Sequence, residues 1–267
     1  MWPEVRKEGF DISKGKQQRL AEQKEVKELL AVLKQNNYSS AKDLMAALNH
    51  VEELEKQLSG AVQELSTMRS ELQDMQKTPL KTALQKSVQA LEVKVVSLRE
   101  QIAALKENII EGCKQALAEF KEHGTAALDG AARFLHLREG LEEMQKTTES
   151  CIHTNEQALK TIETVSTEYH EAGKHLKNVG RAILGKEAVQ DAKAMGKVAK
   201  TIAAPYKAER SCLLAMRGSI QKALSGLERL EQAAEKKPSI LKTMQEQNKK
   251  IQSEPPREAP AVKGAER

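Results

Sequence analysis

Leu44, Val51, Leu58, Leu65 and Leu72 recur every seven residues, and Ala47, Leu54, Ala61, Met68 and Met75 stand three places after each. Apolar steps that alternate between three and four are the a and d positions of a helix burying one seam against another helix. Thr78-Pro79 then interrupts the run. Thr78 is suited to cap a helix, and Pro79 fits a first turn, where a missing N–H does no harm. A second seam follows at once, with Leu84, Leu91, Leu98 and Leu105 at d and Val88, Val95, Ile102 and Ile109 at a. The pattern predicts two long helices, at about 41–76 and 79–112.

Folding the chain back at Pro79 brings the two seams into an antiparallel hairpin. Leu72 then meets Leu84, Met68 Val88, Leu65 Leu91, Ala61 Val95, Leu58 Leu98, Leu54 Ile102 and Val51 Leu105. In the same register Glu64 falls near Lys94 and Glu55 near Arg99. Exposed pairs of this kind are worth under about 1 kcal/mol each, so they select a register more than they stabilise it. The competing arrangement is a parallel dimer, since β-branched residues at a with Leu at d suit two parallel strands. That dimer would set Lys94 against Arg99 of its partner chain, so the hairpin is favoured, with Leu58, Leu65, Leu72, Leu84, Leu91 and Leu98 as its packing residues. An arm of about 32 residues spans roughly 48 Å at 1.5 Å per residue.

Around the hairpin the pattern is less regular. Residues 1–16 are polar, with Pro3, Gly9 and Gly15, and read as a poorly ordered lead-in. A short helix over about 17–35 puts Val26, Leu29, Leu30 and Leu33 on one face. Beyond the hairpin, Gly112, Gly124, Gly130 and Gly140 predict shorter helices. Another seven-residue series follows: Met144, Cys151, Ala158, Val165, Ala172 and Val179, with Thr148, Asn155, Ile162, Tyr169, Leu176 and Ile183 between them. Its polar members, Thr148 and Asn155, are suited to specifying register. A last apolar stripe follows Pro205 (Leu213, Met216, Ile220, Ala223, Leu227, Leu230, Ala234), Pro238 opens a short polar helix, and from Ser253 the Pro-, Glu- and Lys-rich tail reads as disordered. The expected architecture is all-α: an elongated coiled-coil hairpin (41–112) and a helical remainder (113–252) packed as an open bundle, with a tail at 253–267.

Composition agrees with thin helical packing, because only 3% of the 267 residues are aromatic while 30% are charged. Such a chain lacks the large side chains of a thick globular core. Ala, Leu, Lys, Glu and Gln dominate, the helix-forming set. No run approaches the roughly eighteen apolar residues of a membrane span, and Met1–Leu20 carries charges where a secretory signal has its apolar stretch. A cytoplasmic protein is the expectation. Cys113, Cys151 and Cys212 are far apart and odd in number, which suggests small apolar residues and not a disulfide framework or zinc knuckle.

Two segments approach known chemical motifs and fail on mechanism. Gly180–Lys186 followed by Glu187 matches the phosphate-cradling G-x-x-x-x-G-K-[ST] loop except at its last position. There Glu187 replaces the hydroxyl that holds magnesium, and the preceding residues read as helix instead of strand. His170-Glu171 followed by His175 is one residue longer than the zinc helix H-E-x-x-H. Five residues turn the second imidazole about 140° from the first, so a regular helix cannot place both on one metal. No histidine has Glu three residues before it, as a di-iron bundle requires. The expectation is a non-enzyme with no catalytic residues, metal, cofactor or small-molecule substrate.

The net charge of +5 is unevenly placed: residues 173–210 hold nine bases against three acids, leaving the rest near neutral. Lys186, Lys193, Lys200 and Lys207 recur every seven residues and, with Lys197, would share one helical face. Ala188, Ala192, Met195, Ala199, Ile202 and Tyr206 would lie opposite. A solvated face is the ordinary meaning of such a run. An anionic partner is the functional one, and without interleaved aromatics any nucleic-acid contact would be to phosphates and non-specific.

Glu25-Val-Lys-Glu-Leu-Leu30, Ile110-Glu-Gly-Cys-Lys114, Ala127-Leu-Asp-Gly130, the stretch Glu168–Lys177 and the stretch Ala204–Cys212 resemble an uncharacterised family of helical proteins of gut-dwelling Gram-positive bacteria, often carried on conjugative or other mobile elements. The resemblance spans roughly residues 23–245. It implies a context, an accessory role on a mobile element, and no assigned activity. The leading reading is a scaffold or interaction protein that holds a protein partner or a second copy. The alternative is an accessory DNA-associated protein acting through 173–210.

Overall fold

In the computed structural model, residues 19–36, 38, 40–124, 137–188 and 196–236 are described. The lead-in 1–16, the helix expected after Pro238 and the tail 253–267 lie outside them, as does Lys193. A single 3-10 turn at Leu20–Glu22 precedes α1 (Lys24–Gln35), α2 (Ser40–Asp74), α3 (Pro79–His123), α4 (Leu137–Ile183) and α5 (Lys197–Lys236). No strand occurs among the described residues.

The turn between α2 and α3 follows from its sequence. Thr78 is extended and its hydroxyl accepts from the Lys81 N–H at 3.1 Å, while Pro79 takes the first helical position. The Lys81 ammonium closes the other side by donating to the Met75 carbonyl at 2.6 Å, satisfying an acceptor left open where α2 ends. The chain therefore reverses, and α2 and α3 pack side by side within one molecule. Leu58, Leu65, Leu72, Leu84, Leu91 and Leu98 are all buried.

The polar rim of this hairpin differs from the expected one. Glu55 pairs with Lys106 at 2.8 Å, one heptad beyond Arg99, and Arg69 pairs with Glu92. Lys94 does not reach Glu64. It turns to α4 instead, donating to the Ser150 carbonyl at 2.9 Å and the Thr154 hydroxyl at 2.6 Å. The reason is a third helix: a residue on the rim of an isolated hairpin becomes, in a bundle, a residue between two helices.

The expected bundle takes a definite form. The hairpin is one side of a four-helix bundle in which α2 also packs on α5, α3 on α4, and α4 on α5, with α1 laid against α3 and α2. Helix boundaries move accordingly. α3 continues through the buried Gly112 to His123, and α4 runs through Gly140, because glycine costs a helix only about 1 kcal/mol, which burial outweighs. α5 begins at Lys197, eight residues before Pro205, which sits buried inside it. Gly185 does end a helix as expected: its φ is +66°, with Lys186 N–H donating to Arg181 O at 2.9 Å and Gly185 N–H to Ala182 O at 3.0 Å. This glycine-closed pair of bonds is a Schellman cap.

Candidate functional site

Three places on the bundle could carry function. The expected lysine face is the first, and the fold divides it. Lys186 follows the cap of α4, whereas Lys197, Lys200 and Lys207 lie on α5, so no single helix carries all of them. The four described lysines are exposed; of the apolar side opposite, Ile202 and Tyr206 are buried, Ala199 is half-buried and Ala188 exposed, while Ala192 and Met195 lie outside the described residues. Gly180–Lys186 is the carboxyl end of α4, where the backbone presents carbonyls and the negative end of the helix dipole. A phosphate is bound at the opposite end of a helix. His170 and His175 both lie on α4. Among the described residues no three His, Cys, Asp or Glu side chains are grouped so as to hold a metal ion, and no helix is long and apolar enough to cross a membrane.

The second place is a polar cluster in the α4–α5 core. Fully buried Asn155 donates to the Glu209 carboxyl at 2.7 Å and to the Tyr206 carbonyl at 2.9 Å. Burial pushes the Glu209 carboxyl up to about 7; the Asn155 hydrogen bond opposes the shift and Glu64 of α2 adds to it. Tyr206 is raised above its ordinary value by burial and by Glu209. The other oxygen of Glu209, the side-chain oxygen of Asn155 and the Tyr206 hydroxyl have no hydrogen-bond partner. Thr148, the other polar residue of the α4 series, bonds only within its own helix, to Met144 O at 2.7 Å. Asn155 thus links two helices at one register, the best-attested use of a buried polar group in a bundle. Glu209 was legible as a core residue: Ile202, Tyr206, Glu209, Leu213, Met216 and Ile220 alternate steps of four and three. Reading it as one acid within a basic segment hid that spacing. Burial pushes the thiol of Cys151, close to Glu209, and that of Cys113, farther along α3, up to about 12, which keeps both in the weakly nucleophilic thiol form.

The third place is the end of α4. Its a/d series is buried from Leu141 to Ile162, and the last buried residue is Ser166. Beyond it the same series continues into solvent: Tyr169 is 73% exposed, Leu176 76%, Val179 60% and Ile183 80%. Gly196, just before α5, lies beside the His170 ring, so α4 outruns its neighbour from about that residue onward. Leu184 and, at the start of α5, Val198 are exposed as well.

The fold and this surface define an all-α bundle with one helix carried past its packing partners and a seam left open on it. The chain belongs to a family of unknown function, DUF6674, which it matches over residues 22–266. No curated protein and no solved structure matches it.

Proposed function

We propose that the chain is a non-enzymatic interaction protein, whose four-helix body holds out the end of α4 as its partner-binding surface. The observation that carries this is the continuous exposed series Tyr169, Leu176, Val179 and Ile183, which prolongs a seam the protein buries elsewhere. Isolated exposed apolar residues are normal on a protein, but a contiguous stripe at seam spacing marks a surface that takes a partner. The fixed body matters because it orders the helix before binding. A free segment of this length would be only marginally helical.

The experiment is site-specific photocrosslinking in cells from Leu176 and Ile183, with exposed Arg99 of α3 as the control. Protein adducts from the two seam positions and none from Arg99 are expected. Bare recovery of the chain from all three positions would overturn the reading.

A second reading, phosphate contact by Lys186, Lys197, Lys200 and Lys207, has in its favour that all four are exposed. A gel shift across a salt series tests it: binding that survives charge reversal of Lys197 and Lys200 sinks it.

A further inference from the structure

We infer that the partner of the α4 end is the α4 end of a second copy, packed antiparallel about a two-fold axis near Lys174. This rests on the reading of that end as an interaction surface and names its occupant. Three features of the segment are complementary to the segment itself, and only in the antiparallel sense.

The first is the fit of sizes along the seam. In antiparallel pairs a positions meet d positions. With the axis near Lys174, Val165 of one copy meets Ile183 of the other, Tyr169 meets Val179, and Ala172 meets Leu176. The two-fold repeats each pairing, giving six layers. A large side chain meets a smaller one in two of the three pairings, and the outermost brings Ile183 back to the edge of the partner's body, where Val165 is already half-buried.

The second is the flank of the seam. Ser166, Gly173 and Gly180 recur every seven residues along one side of it. In an antiparallel pair this side faces its own counterpart, Gly173 opposite Gly173 and Ser166 opposite Gly180. A Cβ built on Gly173 or Gly180 would meet nothing within 4 Å, so the backbone there is open to close approach. Within the body, a Cβ on Gly140 would instead stand 3.0 Å from Leu105 and one on Gly60 3.0 Å from Cys212, whereas at Gly218 and Gly226 of α5 it would also meet nothing. At Gly140 and Gly60, the room the glycine makes is already filled by a neighbouring helix.

The third is charge. Glu168 and Glu171 occupy the near half of the segment, and Lys174, Lys177 and Arg181 the far half. Antiparallel packing lays each acidic half along a basic half and parallel packing lays like on like; Glu168 alone borders the seam and the other four charges sit on the outer side of the helix, so charge acts on the sense of pairing only at long range.

The overlap is short, so association should depend on concentration, and light scattering is run from the micromolar to the millimolar range. Mass rising toward twice that of one chain is expected, and both Leu176→Glu and Gly173→Leu should return it to one chain. Geometry is read by single cysteines on the full chain, against the unsubstituted protein. Gly173→Cys should form an intermolecular disulfide. Ile183→Cys should not, since its two copies would lie roughly 27 Å apart along the axis at 1.5 Å per residue, far beyond disulfide reach. A disulfide through Ile183→Cys but not through Gly173→Cys would mean a parallel pair and overturn the proposal. A chain that stays single at every concentration also overturns it, and hydrogen exchange then separates the causes. Fast exchange over 173–183 leaves the surface open for a different protein, whereas slow exchange there means that the chain covers its own seam, which removes the interaction reading as well.

Discussion

The two parts of α4 carry one pattern and meet two fates. From Leu141 to Ile162 the three-and-four spacing is buried against α3 and α5; from Tyr169 to Ile183 the same spacing is exposed. Periodicity states which side of a helix needs cover. It does not state whether the chain itself supplies that cover, because this depends on how far the neighbouring helices reach.

The widest gap between the two parts should appear on truncating one large residue in each. Ile162→Ala, at a site 1% exposed, is expected to cost about 2–5 kcal/mol in urea unfolding. A loss below about 1 kcal/mol, the scale of surface changes, would mean that the covered part is not packed as described.

The next effect lies at Glu209 and depends on pH. Its carboxyl ionises near 7 in the fold against an ordinary 4.5. Below 4.5 both folded and unfolded chains hold the proton, and the full stability is present. As pH rises toward 7 the unfolded chain ionises first and stability falls, and above about 7 the loss is complete. At about 1.36 kcal/mol per unit the loss is on the order of 3 kcal/mol. Glu209→Gln should therefore stabilise the protein at pH values above 7 and change little below 4.5, as measured by denaturant midpoint at both ends. An equal effect at both ends would place Glu209 in water.

Smaller still is the ion pair across the covered part, where Arg210 reaches Glu156 at 2.6 Å with both side chains over a third exposed. Arg210→Ala should cost less than about 1 kcal/mol. Least of all, Leu176→Ala should shift global stability by no more than about 0.5 kcal/mol, since no core depends on it. A large loss there would show that the end of α4 is part of the fold and would erase the contrast.

Much of this fold is legible in the sequence, for local reasons. Thr78-Pro79 specifies a cap and a first turn within four residues, and the seams on either side name their own buried leucines. The all-α class and the hairpin follow from that. Contacts between distant helices do not. Lys94 reads as a hairpin rim residue until α4 is beside it, and Gly112 as a helix end until burial outweighs its propensity. Pro205 reads as a start because a lone proline does not reveal the turns already formed before it. The lysine series does not make one helical face for a related reason: a seven-residue repeat is a shared face only where one helix runs through it, and here Gly185 ends α4 just before Lys186, while Lys197, Lys200 and Lys207 lie on α5, which begins at Lys197. The open seam was visible as spacing and invisible as exposure.

Hydrogen exchange read along α4 in dilute protein tests the central claim most directly. Amides over 144–162 should exchange only through global unfolding, while those over 173–183 exchange orders of magnitude faster and gain protection as concentration rises. Uniform protection along the whole helix in the dilute chain would contradict it.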